Sequence, residues 1–380
     1  MDFKLHIRSN FIIYIYLVFQ LFILFFSFQK DKIIEDGYEF SLGMTYHIFS
    51  FLSVLFGYMP KNPNFIESSN FEKKNIIFDN KFIIIAYCLT IFGLITSIAT
   101  IGAIISPTEY LNVLFSGGGD INSIKAESGG GGLGGIFKMF NYAPVCVFMV
   151  TTALKCFYKI SEDQVSKVTK IQNIALIASL LKVFFSLDRL TILAILVGVL
   201  YEKVLLKKIN LKLLILIPLF GIVLTFITSS RMSDSSPLDF LATYSKLSLI
   251  NFDLVIKNET DWSLGWNTFL SPLSFILKFF GYEKMISEPK VWVWNPAQYF
   301  NSSLYMDFGL FSFFIQFLIG YIIRRIQIQA NRGALFFASI YLVISFAVCT
   351  FYSVPIIRAI EFWLMISIAF VLKKFVKIVN

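Results

Sequence analysis

Apolar runs long enough to cross a bilayer recur along almost the whole of this chain. They fall near residues 11–28, 42–59, 82–105, 136–158, 170–187, 190–206, 211–228, 301–323, 334–353 and 355–373. A run of roughly 18 or more apolar residues crosses ~30 Å of hydrocarbon as a helix. A helix also satisfies its own backbone hydrogen bonds where no water is present. Charged residues make up 15% of the chain, against about a quarter in soluble domains. The expected fold is an all-α polytopic membrane protein with about ten transmembrane helices. Leu187-Asp188-Arg189 marks a tight turn between two spans, and Pro355 marks the boundary between the last two.

Charge placement orients these spans. Alternate loops hold Lys4 and Arg8, Lys73 and Lys74, Lys159 and Lys167, Lys207 and Lys208, Arg324 and Arg325, and Lys373 and Lys374. In all, 20 of the 33 basic residues lie on that one set of loops. Basic residues favour the cytoplasmic side, so both termini are expected there. The loop at 229–300 is then expected outside, in the periplasm. Lys4 and Arg8 precede a long run without a small-residue cleavage site, which reads as a retained first helix. The chain divides into an N-terminal bundle of about seven helices (1–228), the large loop (229–300) and about three C-terminal helices (301–380).

Several function classes drop out. The net charge of +9 is spread over loops and not gathered on one face, so nucleic acid is not an expected partner. Cys88, Cys146, Cys156 and Cys349 lie within or near the ends of apolar runs, and the two histidines are His6 and His47. That pattern supports neither a disulfide framework nor a metal site, and no cofactor is expected. Gly129, Gly131 and Gly134 match the letters of a nucleotide-binding turn. No strand precedes them and they fall outside, so a flexible lid or linker is the better reading. His47 reads most simply as a buried, hydrogen-bonded polar residue in the second span.

The large loop mixes polarities. Pro237 to Ile256 reads as a helix, and Phe269, Leu270, Leu273, Ile276, Leu277 and Phe280 follow helical spacing. That second piece suits an amphipathic helix on the outer leaflet or one packed on the bundle. Trp262, Trp266, Trp292 and Trp294 are interface-type aromatics that could also stack on sugar rings.

Four basic residues stand at the outer ends of spans: Lys182, Arg189, Arg231 and Arg358. Cations are disfavoured on that side and costly in hydrocarbon. As a set they ask for an anionic partner, and guanidinium forks match phosphate oxygens. The competing account is snorkelling to headgroups, or pairing with Asp188, Asp234 or Glu361. Outer carboxylates that could act as a base are Asp188, Asp234, Asp239, Asp253, Asp261 and Asp307. Arg189, Arg231, Arg358 and Asp234 are the catalytic candidates, and Lys182, Asn295, Tyr299 and Asp307 the substrate-binding candidates.

Three stretches carry a family likeness. These are Phe185-Ser186-Leu187-Asp188-Arg189-Leu190-Thr191, Thr228-Ser229-Ser230-Arg231, and Asn295-Pro296 through Tyr305-Met306-Asp307-Phe308-Gly309-Leu310. With their placement around one large loop, the chain resembles the bacterial O-antigen polymerases of the Wzy family. The resemblance implies a membrane glycosyltransferase of GT-C-like type. It implies transfer of a growing glycan from undecaprenyl pyrophosphate to a new lipid-linked repeat unit at the periplasmic face of the inner membrane. The resemblance further implies that the arginines stabilise the departing pyrophosphate and that a polysaccharide chain-length regulator is a partner. An O-antigen ligase, with the same donor and a lipid A core acceptor, and a lipid-linked oligosaccharide flippase are the alternatives. The ligases of this kind are expected to use an outer-loop His, which this chain lacks.

Overall fold

The computed structural model describes residues 10–28, 41–59, 73–102, 106, 108–109, 112, 139–186, 189–205, 237–258, 262–270, 273, 300–350, 357 and 359–379. Among the described residues, eleven α-helices run in the order α1 (Phe11–Ser27), α2 (Leu42–Tyr58), α3 (Asn80–Gly102), α4 (Ala143–Phe157), α5 (Glu162–Ser186), α6 (Arg189–Leu205), α7 (Pro237–Asn258), α8 (Phe300–Phe308), α9 (Ser312–Asn331), α10 (Leu335–Cys349) and α11 (Ile360–Lys373). The stretches Asn80–Thr100, Met139–Phe157 and Asn301–Asn331 are long and apolar enough to cross a membrane. The chain is therefore a mostly helical membrane protein. The segment at 211–228 and the boundary at Pro355 lie outside the described residues.

The bundle is organised around α4. Every residue of this helix except Lys155 is buried, and a helix apolar on all sides belongs inside other helices. It packs against α3, α5, α6, α10 and α11. Within the membrane-length stretches, 83% of Met139–Phe157 is buried but only 33% of Asn80–Thr100 and 39% of Asn301–Asn331. The first is a core helix, and the other two turn much of their surface outward.

α2 and α9 meet through their backbones. A Cβ on Gly57 would lie 2.0 Å from the Phe317 carbonyl oxygen, and one on Gly320 would lie 2.1 Å from that of Val54. Lipid tails are as apolar as leucine, so helices in a membrane associate through close van der Waals packing at small residues.

The all-α expectation needs one correction. Strands β1 (Asn75–Phe78), β2 (Lys159–Ile160) and β3 (Val376–Val379) form a sheet in the order β2-β1-β3. β1 runs parallel to β2, with Asn75 opposite Lys159, and antiparallel to β3, with Phe78 opposite Val376. The Gln164 side chain clamps the central strand, accepting from the Phe78 N–H at 2.7 Å and donating to its carbonyl at 2.8 Å. The strands lie just before α3, just after α4 and just after α11. The sheet therefore joins one end of the bundle, and that end carries Lys74, Lys159, Lys373 and Lys377. The α9–α10 turn belongs to the same end, because Gly333 lies against the Lys74 side chain.

Other boundaries shift for physical reasons. α5 starts at Glu162, eight residues ahead of the apolar run, with Glu162 and Asp163 in its first turn. Carboxylates there complement the helix dipole, so the polar turns extend the helix past its apolar part. The expected span at 301–323 is broken at Gly309, whose φ of +54° ends α8; a 3-10 turn, Gly309–Phe311, then leads into α9.

A polar network crosses the bundle near the basic end. Lys155 Nζ lies 3.2 Å from Glu202 Oε1 and donates to Gln172 Oε1 at 2.5 Å. Gln172 in turn donates to Thr152 Oγ1 at 2.8 Å and Glu202 Oε2 at 3.1 Å. Removing one partner of such a pair strands the other. Glu202→Ala is expected to lower stability by about 1–3 kcal/mol, scaled down from a fully buried pair because both side chains keep some exposure. Glu202→Ala combined with Lys155→Met should recover most of that loss. Thermal unfolding of the detergent-solubilised variants checks it; equal loss in the single and double variants would count against the pairing.

Candidate functional site

Opposite the sheet, the ends of α5, α6 and α4 come together. Lys182 lies one turn before the end of α5. It is 2% exposed. Its ammonium donates to Thr191 Oγ1 at 2.6 Å and sits 3.5 Å from the centroid of the Tyr142 ring. Tyr142 closes the 3-10 turn Met139–Tyr142 that leads into α4, and Pro144 in the first turn of α4 fixes the entry of that helix. Thr191 is the third residue of α6, a helix of 17 residues that begins at Arg189.

This arrangement concentrates positive potential. The first turn of a helix leaves backbone N–H groups unused and carries roughly half a positive charge. Arg189 occupies the first position of α6, and the buried Lys182 ammonium reaches that same turn through Thr191. A cation gains nothing from a helix N-terminus, whereas an anion gains from both. The chemistry on offer is binding of phosphate or carboxylate oxygens.

A second buried polar region joins α2, α7 and α8. Asn301 Nδ2 donates to His47 Nδ1 at 3.1 Å, so His47 is the buried, hydrogen-bonded residue expected of it. Asp253 Oδ1 accepts from the Gly43 N–H at 2.6 Å. This carboxylate of α7 thus caps α2 together with Ser41, whose side chain accepts from the Met44 N–H at 3.3 Å. Tyr46 stacks on Phe313 and meets Phe252 and Tyr305 edge-on.

Asp307 is fully buried at the end of α8. Its Oδ1 accepts from Ser263 Oγ at 2.5 Å and its Oδ2 from the Thr268 N–H at 2.7 Å. Backbone bonds run alongside, from Ser263 N to the Met306 carbonyl at 3.1 Å and from Leu264 N to the Asp307 carbonyl at 3.0 Å. The carboxylate fixes the 262–270 segment, including the π-helical turn Trp266–Leu270. Of the amphipathic helix expected over Phe269, Leu270, Leu273, Ile276, Leu277 and Phe280, the last three residues lie outside the described residues.

Of the sequence candidates, Lys182 and Asp307 are thus seated in full, and Arg189 by its backbone position. Arg231, Asp234, Asn295, Tyr299 and Arg358 lie outside the described residues, as do Asp188 and Asp261. Glu361 stands in the first turn of α11, half-buried, where the helix dipole itself favours a carboxylate.

One cation escaped the sequence reading. Lys246 is fully buried on α7 beside Ser245, Ser248 and Asn251. A signal was present: within Pro237–Asn258, polar residues alternate with Leu247, Leu249, Phe252 and Val255 too closely for one face to be wet. No protein-family model, curated protein or solved structure matches the chain.

Proposed function

We propose that this chain is a polysaccharide polymerase of the bacterial inner membrane. In this reading it has about ten spans and a GT-C-like architecture, with the basic end in the cytoplasm and the large loop in the periplasm. It transfers a growing glycan from undecaprenyl pyrophosphate to a fresh lipid-linked repeat unit. The observation that carries the reading is the head of α6. There the buried Lys182 contacts Thr191 in the first turn of the helix that begins at Arg189, opposite the lysine-rich sheet. Pyrophosphate is the leaving group of that reaction, and charge developing on it is stabilised by fixed cations and dipoles in a water-poor site. Arg231 and Arg358 complete the set in this proposal, with Asp234 a further catalytic candidate.

The test is the glycan profile of cells lacking the gene, complemented with the wild type or with Arg231→Ala. A collapse of the lipopolysaccharide ladder to core plus one repeat unit is expected for the deletion, and the same for Arg231→Ala at normal protein level. A core without any repeat unit would overturn the polymerase reading. Accumulated polymer outside would then indicate the ligase, and single units inside the flippase.

A further inference from the structure

The segment held by Asp307 has an unusual tip. Leu264 has a φ of +49°, a conformation that a branched apolar side chain adopts at a cost. Yet it is 73% exposed, so packing among the described residues does not repay that cost. Trp262 is also exposed and lies over Gly309, where a Cβ would come within 2.5 Å of its indole. Phe269, exposed as well, meets Phe308 with ring centroids 6.3 Å apart. Three large apolar side chains are therefore turned outward by a buried carboxylate, two backbone bonds and a left-handed glycine.

The surroundings say what they face. Leu310 and Phe311 in the 3-10 turn are exposed, and the exposed Phe314, Leu318 and Ile322 continue them at helical spacing along α9. They form an apolar stripe that starts beside the tip. The stretch Asn301–Asn331, of which α9 is the longer part, is long and apolar enough to cross a membrane. Arg324 and Arg325 follow the stripe about two turns before the end of α9, and Arg332 follows its last residue; Arg324 Nη1 donates to the Met59 carbonyl at 2.9 Å. A stripe facing acyl chains and ending in arginines at one interface brings the tip to the other interface. Tryptophan and leucine are the side chains suited to that depth.

We propose that Trp262, Leu264 and Phe269 form a finger that inserts into the phospholipid leaflet opposite the basic end, and that Asp307 is the residue that positions it. The strain at Leu264 is offset by burial in lipid and not by contacts within the chain.

The test uses the full-length protein in phosphatidylethanolamine–phosphatidylglycerol vesicles. A polarity-sensitive fluorophore is attached at Leu264→Cys in a Cys88→Ser background, with a control label at Ile91→Cys on the exposed face of α3. The Leu264 label is expected to emit as in an apolar medium. It should lose most of its signal to a lipid nitroxide near the headgroup and little to aqueous iodide. Strong iodide quenching without nitroxide quenching would overturn the finger. Adding Asp307→Asn should move the Leu264 label into water and leave the Ile91 label unchanged. If the Ile91 label also changes, the fold is lost and Ser263→Ala decides instead. A Leu264 label unmoved by Asp307→Asn in a folded protein, or by Ser263→Ala, would remove the positioning role.

Discussion

Gly320→Ala is expected to cost the protein most of its yield as a folded, monodisperse species. The new Cβ would have to occupy space 2.1 Å from the Val54 carbonyl oxygen, and the Tyr58 nitrogen stands 3.1 Å away. Both obstacles are backbone, so no side chain can swing aside. The α2 and α9 axes must separate along their whole contact. Overpacking of a tight interior costs about 1–3 kcal/mol, with the upper end expected where backbone must move. Gly57→Ala should behave alike, since the Phe317 carbonyl oxygen would lie 2.0 Å from its Cβ. Gly43→Ala is the graded control: its nearest neighbours stand at 3.0 Å and include the Asp253 carboxylate, which can shift. Thermal unfolding followed by size exclusion should rank wild type above Gly43→Ala, and Gly43→Ala above the other two. Equal melting for all four proteins would mean that α2 and α9 are not in backbone contact.

Lys182→Met is expected to separate stability from activity. Methionine keeps most of the stem volume and removes the ammonium that contacts Thr191 and Tyr142. Replacing a buried charge by an apolar residue is often neutral or stabilising, so melting should hold or rise. If the ammonium stabilises a departing phosphate, elongation should fall by about 10²–10³, the loss typical of one preorganised group at a developing charge. Ladder length in complemented cells, or turnover of purified lipid-linked substrate, reads the effect. Full activity in a well-folded Lys182→Met protein would confine the lysine to packing.

The mostly helical character was legible in the sequence because hydrocarbon imposes a length and a composition on an apolar helix. Lys182 stood out for a related reason: a cation near the end of an apolar run has few inexpensive explanations. The sheet was not legible. β1 is four residues, Asn75–Phe78, set among lysines. Its partners are supplied from after α4 and after α11, and a short pattern gives no sign of such distant pairing. Lys246 was missed because a lysine in a long loop is ordinarily solvated; its burial depends on α7 lying against α1 and α2. Asp307 drew notice as a possible substrate ligand. Its contacts with Ser263 and Thr268 come from a fold-back that spacing alone does not encode.

The partnership between β1 and β3 also sets an order of assembly. β1 precedes α3, while β3 follows α11, so nearly the whole helical chain must emerge from the ribosome before the two strands can pair. α2 likewise awaits α9. During synthesis, an early helix with a bare glycine notch and a strand with one open edge persist beside the insertion machinery.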